Sequence, residues 1–249
     1  MQPEPTHLEY GEPFNKAFDQ IRSGIDQGVA AFNEIVDRVN DWKWLLGPVA
    51  LWWIKNNLDD VRDGLNSVLD RVDYALEHQL PVLSLINISF QWVNDVKTPV
   101  SDLSFVTTEP VNENLAKWTG DAASSYNAKA VKQKAAVDET VLRAEFISQW
   151  LFKIAKANVD YAVELAKIVT GLTGKLVQAA TEATTVIDLP WAISTLAKSV
   201  GDLVTAGLNL LLTIGQRFVD ALGNVRDLAT QVGDYSKLPE GRWPEAVRG

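Results

Sequence analysis

The side chains that could support acid–base or metal chemistry are few. The chain has only two histidines, His7 and His78. A zinc site or a catalytic triad needs a histidine with further ligands or an orienting group, and no H-E-x-x-H, cysteine-pair or G-x-S-x-G spacing occurs. His78 falls at the end of a predicted helix, where a partial positive charge suits the carbonyl end. We therefore predict no catalytic histidine and no metal site.

One glycine-rich segment and the paired acids are the remaining candidates for chemistry. Gly171-Leu172-Thr173-Gly174-Lys175 is superficially similar to a phosphate-binding loop, but a strand before it and the full G-x-x-x-x-G-K-[ST] spacing are missing. Two glycines three apart on a helix more often permit close helix approach or a kink. Adjacent acids such as Asp59-Asp60 point in different directions from a helix and belong to a solvated face. We predict no cofactor and no enzymatic activity.

Composition limits the partners and the route the chain can take. The 249 residues are 47% hydrophobic and carry a net charge of −9, which disfavours nucleic acid and anionic lipid head groups as general partners. There is no cysteine, so composition does not indicate whether the protein resides in an oxidising or a reducing compartment. The first ten residues have no basic start and no apolar run, and we expect no secretory signal peptide. The longest stretches without a charge are shorter than a spanning helix, so we read them as core helices.

Apolar residues recur at steps of three and four along most of the chain, which predicts an all-α fold. The segment from Ile54 to Ala75 follows a strict heptad spacing and presents a narrow, coiled-coil-like seam. Gly47-Pro48 closes the first helix, and Lys97-Thr98-Pro99 ends the third, because a residue before proline avoids helical dihedrals. We expect one elongated antiparallel helical bundle of long amphipathic helices. Its predicted parts are an extended tail 1–13, a hairpin 14–78 with helices 14–46 and 48–78, a helix 80–97, a loop to about 112, a W-x-G turn 118–120, a long helix 121–188, a helix 190–235 and a flexible tail 236–249.

Nine tryptophans are unusual for this length, and four of them flank the turn at Gly47-Pro48. The tip of the first hairpin is therefore predicted to be aromatic and partly exposed. These rings either close the end of the core or form a tip that binds a partner or touches a membrane. The four residues are Trp42, Trp44, Trp52 and Trp53.

A second feature is the segment from Leu115 to Tyr126, whose residue types make sense together. Gly120 permits a tight reversal, small residues after it let two helices approach, and Trp118 and Tyr126 can cover the junction. This segment resembles the W-x-G helix-turn-helix of the WXG100 superfamily, the Esx-like substrates of type VII secretion, and its longer actinobacterial relatives, the PE/PPE and EspB-like proteins. Trp118 and Gly120 match the family's two defining positions.

The resemblance implies a four-helix bundle, formed by self-association, with a helical partner or within one chain, and export by the secretion machinery without a signal peptide. In the family a Y-x-x-x-[DE] sequence follows the second helix. Here Tyr161 is followed four residues later by Leu165, and Tyr235 by Pro239. Export would then depend on a partner that carries this signal.

Two functions of different class follow from these patterns. The first is a non-enzymatic secretion substrate or secretion-associated interaction protein, secreted or associated with the cell envelope, with a cytoplasmic location as the alternative. The second is a membrane-active or pore-forming protein that uses the tryptophan-rich tip and the sparsely charged stretch from Val204 to Gln216. In the second case we expect membrane contact without a spanning segment.

Overall fold

The fold is helical throughout the residues that the computed structural model describes, which are 7–77, 82–108, 114, 117–223, 229–230 and 233–244. No strand occurs in these ranges, and the all-α prediction is confirmed for them. Beside a π-helical turn Trp92–Lys97 and a 3-10 turn Pro239–Gly241, the helices are α1 His7–Trp42, α2 Pro48–Glu77, α3 Val82–Gln91, α4 Thr98–Thr108, α5 Asp121–Glu182 and α6 Asp188–Gly223.

Helix α1 is longer at its start than the sequence predicts. It begins at His7, so residues 7–13 are helical and not an extended tail. The reason is that the buried face continues past Phe14 to Gly11, which keeps the first turns packed although Pro13 lies within them. The helix ends at Trp42, four residues before the predicted end.

The predicted loop after Lys97 is wrong, because the chain continues as α4 to Thr108. Thr98 keeps helical dihedrals, φ −64° and ψ −53°, directly before Pro99. The π turn makes this possible. The Thr98 N–H and hydroxyl both donate to the Val93 carbonyl, the hydroxyl at 3.0 Å. The hydrogen-bond pattern of the helix has therefore already shifted by one residue before Pro99, which has no N–H to donate. Residues 109–113 lie outside the described part of the chain.

Helix α5 runs without interruption for 62 residues, through both Gly171 and Gly174. The kink and the close approach predicted for these glycines occur at neither: a Cβ built on Gly174 meets no described atom within 4 Å, and one on Gly171 meets only ordinary contacts with Leu203. The close approaches are elsewhere. A Cβ on Gly24 in α1 would lie 2.7 Å from Val169, and one on Gly207 in α6 would lie 2.6 Å from Ile168.

The chain divides into two compact units, whereas the sequence predicts a single bundle. Unit 1 comprises Met1–Val82 and Ala157–Arg217, and unit 2 comprises Leu83–Lys156 and Phe218–Gly249. Periodicity could not locate this division because two of its three boundaries, 156/157 and 217/218, fall inside the continuous helices α5 and α6. The fully buried large side chains of unit 1 include Ile21, Ile35, Ile54, Val61, Val72, Leu165, Leu176, Leu189 and Ile193.

The order of contacts in unit 1 fixes the direction of its helices. The Thr173 hydroxyl donates to the Gly24 carbonyl at 2.7 Å, and the Arg38 guanidinium donates to the Ala183 carbonyl at 2.7 Å. Residue numbers rise together along the two helices, so α1 and this part of α5 run in the same direction. The predicted antiparallel arrangement therefore does not describe this pair. Because each is followed by a short turn, the turns 43–47 and 183–187 lie at the same end of unit 1.

Helix α6 starts two residues before the predicted Pro190. The Thr185 hydroxyl accepts the Asp188 N–H at 3.2 Å, an N-terminal cap on the first turn. Of the helices in the described ranges, this one alone is long and apolar enough to cross a bilayer, over Asp188–Gln216, by length and composition only. It buries a stripe of side chains in unit 1, Leu189, Ile193, Leu196 and Val200. Only 22% of its apolar window is buried, so the sequence-based interpretation of this stretch as a core helix is not confirmed.

The end of the chain is ordered in part, where the sequence predicts a helix to 235 and then a flexible tail. Helix α6 ends at Gly223, and residues 233–244 form a turn structure that includes Pro239–Gly241. The Arg143 guanidinium donates to the Asp234 carbonyl, which holds this segment against α5 within unit 2. Residues 224–228, 231–232 and 245–249 lie outside the described ranges.

Candidate interaction surfaces

The W-x-G turn leads directly into helix α5. Gly120 has φ +100°, a conformation that residues with a Cβ rarely adopt, and α5 begins at the next residue, Asp121. The Ser124 N–H donates to the Gly120 carbonyl at 3.0 Å and closes the first turn. A Cβ on Gly120 would meet no described atom within 4 Å. The glycine is therefore required by the backbone dihedral and not by crowding.

Trp118 and Tyr126 form an aromatic pair beside this turn. Their ring centroids are 5.9 Å apart and the planes are inclined by 50°, within the range of favourable aromatic contacts. Both side chains remain accessible, with 43% of Trp118 and 47% of Tyr126 exposed. The pair thus forms a patch on the surface of unit 2.

The first turns of α5 contribute little to the core. Between residues 121 and 135, about four helical turns, only Ala123 is buried. Val131 and Leu142 on the same helix are also mostly exposed. They lie roughly 140° and 160° around the helix axis from Tyr126, so the aromatic pair and these two side chains belong to different faces.

Contacts in unit 2 pair α3 and its continuation with α5. The Ser148 hydroxyl donates to the Ser89 carbonyl at 2.7 Å, and Lys97 Nζ lies 3.2 Å from Glu145 Oε2. Since residue numbers rise on one helix and fall on the other, these two segments run in opposite directions. They precede and follow the W-x-G turn along the chain.

The four tryptophans predicted for the hairpin tip are placed around the turn 43–47. Trp44 is 77% exposed and Trp52 is 64% exposed, while Trp42 and Trp53 are half-buried. The predicted partial exposure of the tip is therefore present, while the use of these rings, to close the core or to bind a partner or membrane, stays a prediction.

The sequence analysis missed that a second turn brings further apolar side chains to this end of unit 1. Ile187 is 88% exposed and Trp191 is 65% exposed, and both adjoin the turn 183–187. Leu45 and Val49 are exposed beside the first turn. The sequence around Pro190, from Thr184 to Trp191, indicated only a helix boundary. That this boundary meets the first turn depends on the parallel packing of α1 and α5, which periodicity does not predict.

An apolar crevice lies between α1, α2 and α5 in unit 1. Gly24 and Gly28 form its floor on α1, and Val68 and Leu176 are among the residues that line it. Its one polar lining group, Thr173, already donates to the Gly24 carbonyl. The crevice offers apolar contact and no polar group that could orient a ligand.

Titratable groups with altered properties are rare among the described residues. Burial raises the pKa of Tyr161, and the charge of Arg71 partly offsets this effect. A hydrogen bond from the Ser236 N–H lowers the pKa of Asp234. In the described ranges no group of three or more His, Cys, Asp or Glu side chains could hold a metal ion. His7 begins α1, and His78 lies outside these ranges.

No family model, curated protein or solved structure matches this chain. A function must therefore be inferred from the surfaces just described. Two of them combine exposure with aromatic residues: the Trp118 turn in unit 2 and the end of unit 1.

Proposed function

We propose that this protein is a non-enzymatic helical interaction protein of type VII secretion, either a secreted substrate or a component that accompanies one. The observation that carries the proposal is the exposed Trp118–Tyr126 pair beside Gly120, at the start of a helix whose first four turns bury one side chain. An exposed aromatic pair of this kind is a site where a partner helix can pack.

The arrangement of unit 2 supports a W-x-G helix-turn-helix. Two helical segments of opposite direction precede and follow the turn, and Gly120 has the positive φ that a glycine at this position explains. The WXG100-like resemblance rests on Trp118 and Gly120, which match the two defining positions of the family in sequence. The antiparallel arrangement that this proposal needs is that of α3 and α5 in unit 2, since α1 and α5 run in the same direction in unit 1.

The partner we propose is another helical protein that contributes to a bundle with α5. A partner of this kind also explains export without a Y-x-x-x-[DE] sequence in this chain, because the partner would carry the signal. The protein would then leave the cell, or reach the envelope, by a route that does not use a signal peptide. Self-association through the same helix face is the competing arrangement.

Export can be tested in the bacterium that encodes the chain. The wild-type protein, Trp118→Ala and Gly120→Ala are expressed from the native locus and quantified in culture filtrate and cell pellet, with a cytosolic enzyme as the lysis marker. We expect wild-type protein in the filtrate and both variants retained in the pellet. The matched control is Trp243→Ala, because Trp243 is 46% exposed, close to the 43% of Trp118, but is not part of the W-x-G sequence.

Three results would contradict the proposal. Wild-type protein confined to the pellet under all growth conditions would exclude export. Export of both turn variants at the wild-type level would exclude a role for the motif. Loss of export in Trp243→Ala as well would show a general sensitivity to tryptophan removal. Circular dichroism of the purified variants separates a lost interaction from a lost fold.

A further inference from the structure

The segment 233–244 in unit 2 keeps its shape through contacts within itself. The Ser236 N–H donates to Asp234 Oδ1 at 2.9 Å. The Tyr235 ring covers Gly241, since a Cβ built on this glycine would lie 3.3 Å from Tyr235 Cε1. Gly241 has φ +71°, a conformation that glycine adopts without strain. We call this self-contained turn structure the strap.

The strap buries little of its own surface. Of its twelve residues, Leu238 and Pro244 are half-buried and the other ten are exposed. Its two aromatic side chains, Tyr235 and Trp243, are 53% and 46% exposed. Apolar burial therefore contributes little to holding the strap in place. Segments with few buried contacts lie at the low-stability end of a fold, where they can open while the rest stays folded.

A polar contact with α5 anchors the strap. The Arg143 guanidinium donates to the Asp234 carbonyl. Its Nε donates to Glu139 Oε1 at 2.7 Å, one turn earlier on the same helix. The side chains of Arg143 and Glu139 are only 15% and 21% exposed, so the guanidinium is oriented by α5 itself. A charge-assisted hydrogen bond of this kind favours the closed strap by about 10- to 100-fold.

We propose that the strap opens and closes on α5 as one piece, with Arg143 as its latch, while the rest of unit 2 stays folded. The strap can move as one piece because its internal hydrogen bond and the contact of Tyr235 with Gly241 do not involve α5. The latch bond goes to a main-chain carbonyl, so it depends on the shape of the strap. In the open state the oriented guanidinium and the strap backbone are accessible to another molecule.

The competing arrangement is a strap that is a fixed part of unit 2 and leaves α5 only when the whole unit unfolds. A fixed part of a unit is expected to share its buried core. Within residues 233–244, no side chain is fully buried. The exposure of the strap therefore favours local opening.

Limited digestion of the purified full-length chain with trypsin tests the proposal. Lys237 and Arg242 are exposed residues of the strap, and cleavage after either requires the chain to leave its turn conformation. When opening and closing are fast relative to cleavage, the cleavage rate follows the population of the open state. We expect Arg143→Gln to accelerate cleavage after Lys237 by about 10- to 100-fold. Cleavage of the wild type should change little with urea below the unfolding transition, because local opening exposes little surface.

The matched control is Lys134→Gln, which removes an ion pair of the same length and spacing from the same helix, that of Lys134 with Asp138 at 2.7 Å. It should leave the cleavage rate after Lys237 unchanged. Gly241→Ala perturbs the strap from its own side, because the added Cβ would press on the Tyr235 ring at a positive φ, and it should also accelerate cleavage. Amide hydrogen exchange in α3 and α5 should stay at the wild-type rate in Gly241→Ala.

Equal cleavage after Lys237 in the wild type and in Arg143→Gln would overturn the proposal. Cleavage of the wild type that rises with urea in step with unfolding would do the same. Faster hydrogen exchange throughout α3 and α5 in Arg143→Gln, with cleavage of Gly241→Ala at the wild-type rate, would show that Arg143 stabilises unit 2 as a whole and latches no strap.

Discussion

Replacement of Gly207 by alanine tests how closely α6 packs against α5 in unit 1. A Cβ at this position would lie 2.6 Å from two carbons of Ile168, about 1 Å inside a normal carbon–carbon contact. Overpacking of a core in this way costs about 1 to 3 kcal/mol, while alanine in place of glycine in a helix returns about 1 kcal/mol. We therefore expect Gly207→Ala to change the free energy of unfolding by between about 0 and −2 kcal/mol.

Gly201→Ala provides the matched control in the same helix. Gly201 is exposed, and a Cβ on it would meet no described atom within 4 Å, so only the gain of about 1 kcal/mol in helix stability should remain. The difference between the two variants isolates the contact and should be about 1 to 3 kcal/mol. The assay is urea unfolding followed by far-ultraviolet circular dichroism, with equal m-values as the condition for comparison. If Gly207→Ala is as stable as Gly201→Ala, the close packing of α6 on Ile168 is refuted.

Two further predictions concern other contacts of unit 1. Arg38→Met should lower the free energy of unfolding by about 1 to 3 kcal/mol, because the guanidinium donates to the Ala180 and Ala183 carbonyls at the end of α5. Amide hydrogen exchange should accelerate first at this end of the helix, and unchanged exchange there would contradict the prediction. Tyr161→Phe should reduce alkaline destabilisation. Burial raises the pKa of Tyr161 in the folded protein. Its contribution to the free energy of unfolding is therefore complete below the unfolded pKa of about 10 and is lost as the pH rises through the folded pKa. An equal loss of stability at alkaline pH in wild type and variant would contradict this.

The all-α fold could be predicted from periodicity, because apolar residues at steps of three and four form one face of a helix that must be buried, whichever helices it packs against. The limits of that reasoning are visible in α1. Val29 belongs to the apolar stripe in the sequence, yet half of its surface is exposed, whereas Gly24 and Gly28 are buried against α5. A glycine carries no hydrophobic signal, and only the approach of a second helix makes it part of a core.

Proline also misled the prediction, for a local reason. Pro99 predicts a helix end, but a π turn before it moves the hydrogen-bond register by one residue, and the helix continues as α4. This segment also packs against α5, where Lys97 Nζ in the π turn lies 3.2 Å from Glu145 Oε2. Single-residue propensities do not contain that contact.

The two candidate surfaces differ in how far the sequence could define them. The Trp118 turn is local, so the residues that form it are adjacent in the chain and could all be named. The exposed apolar end of unit 1 is assembled from two turns more than 100 residues apart, at 43–47 and 183–187. Trp44 and Trp52 were found because they flank Gly47-Pro48, while Ile187 and Trp191 became part of the surface only through the direction of α5.

The most direct test of the proposed function is export of the wild-type chain in the presence and absence of the secretion ATPase. The protein is quantified in culture filtrate from the encoding strain, from an isogenic strain lacking the membrane ATPase of its type VII system, and from the complemented strain. We predict protein in the first and third filtrates and its retention in the cells of the second. Equal amounts in all three filtrates, or none in any filtrate while the cells contain the protein, would contradict a role in type VII secretion.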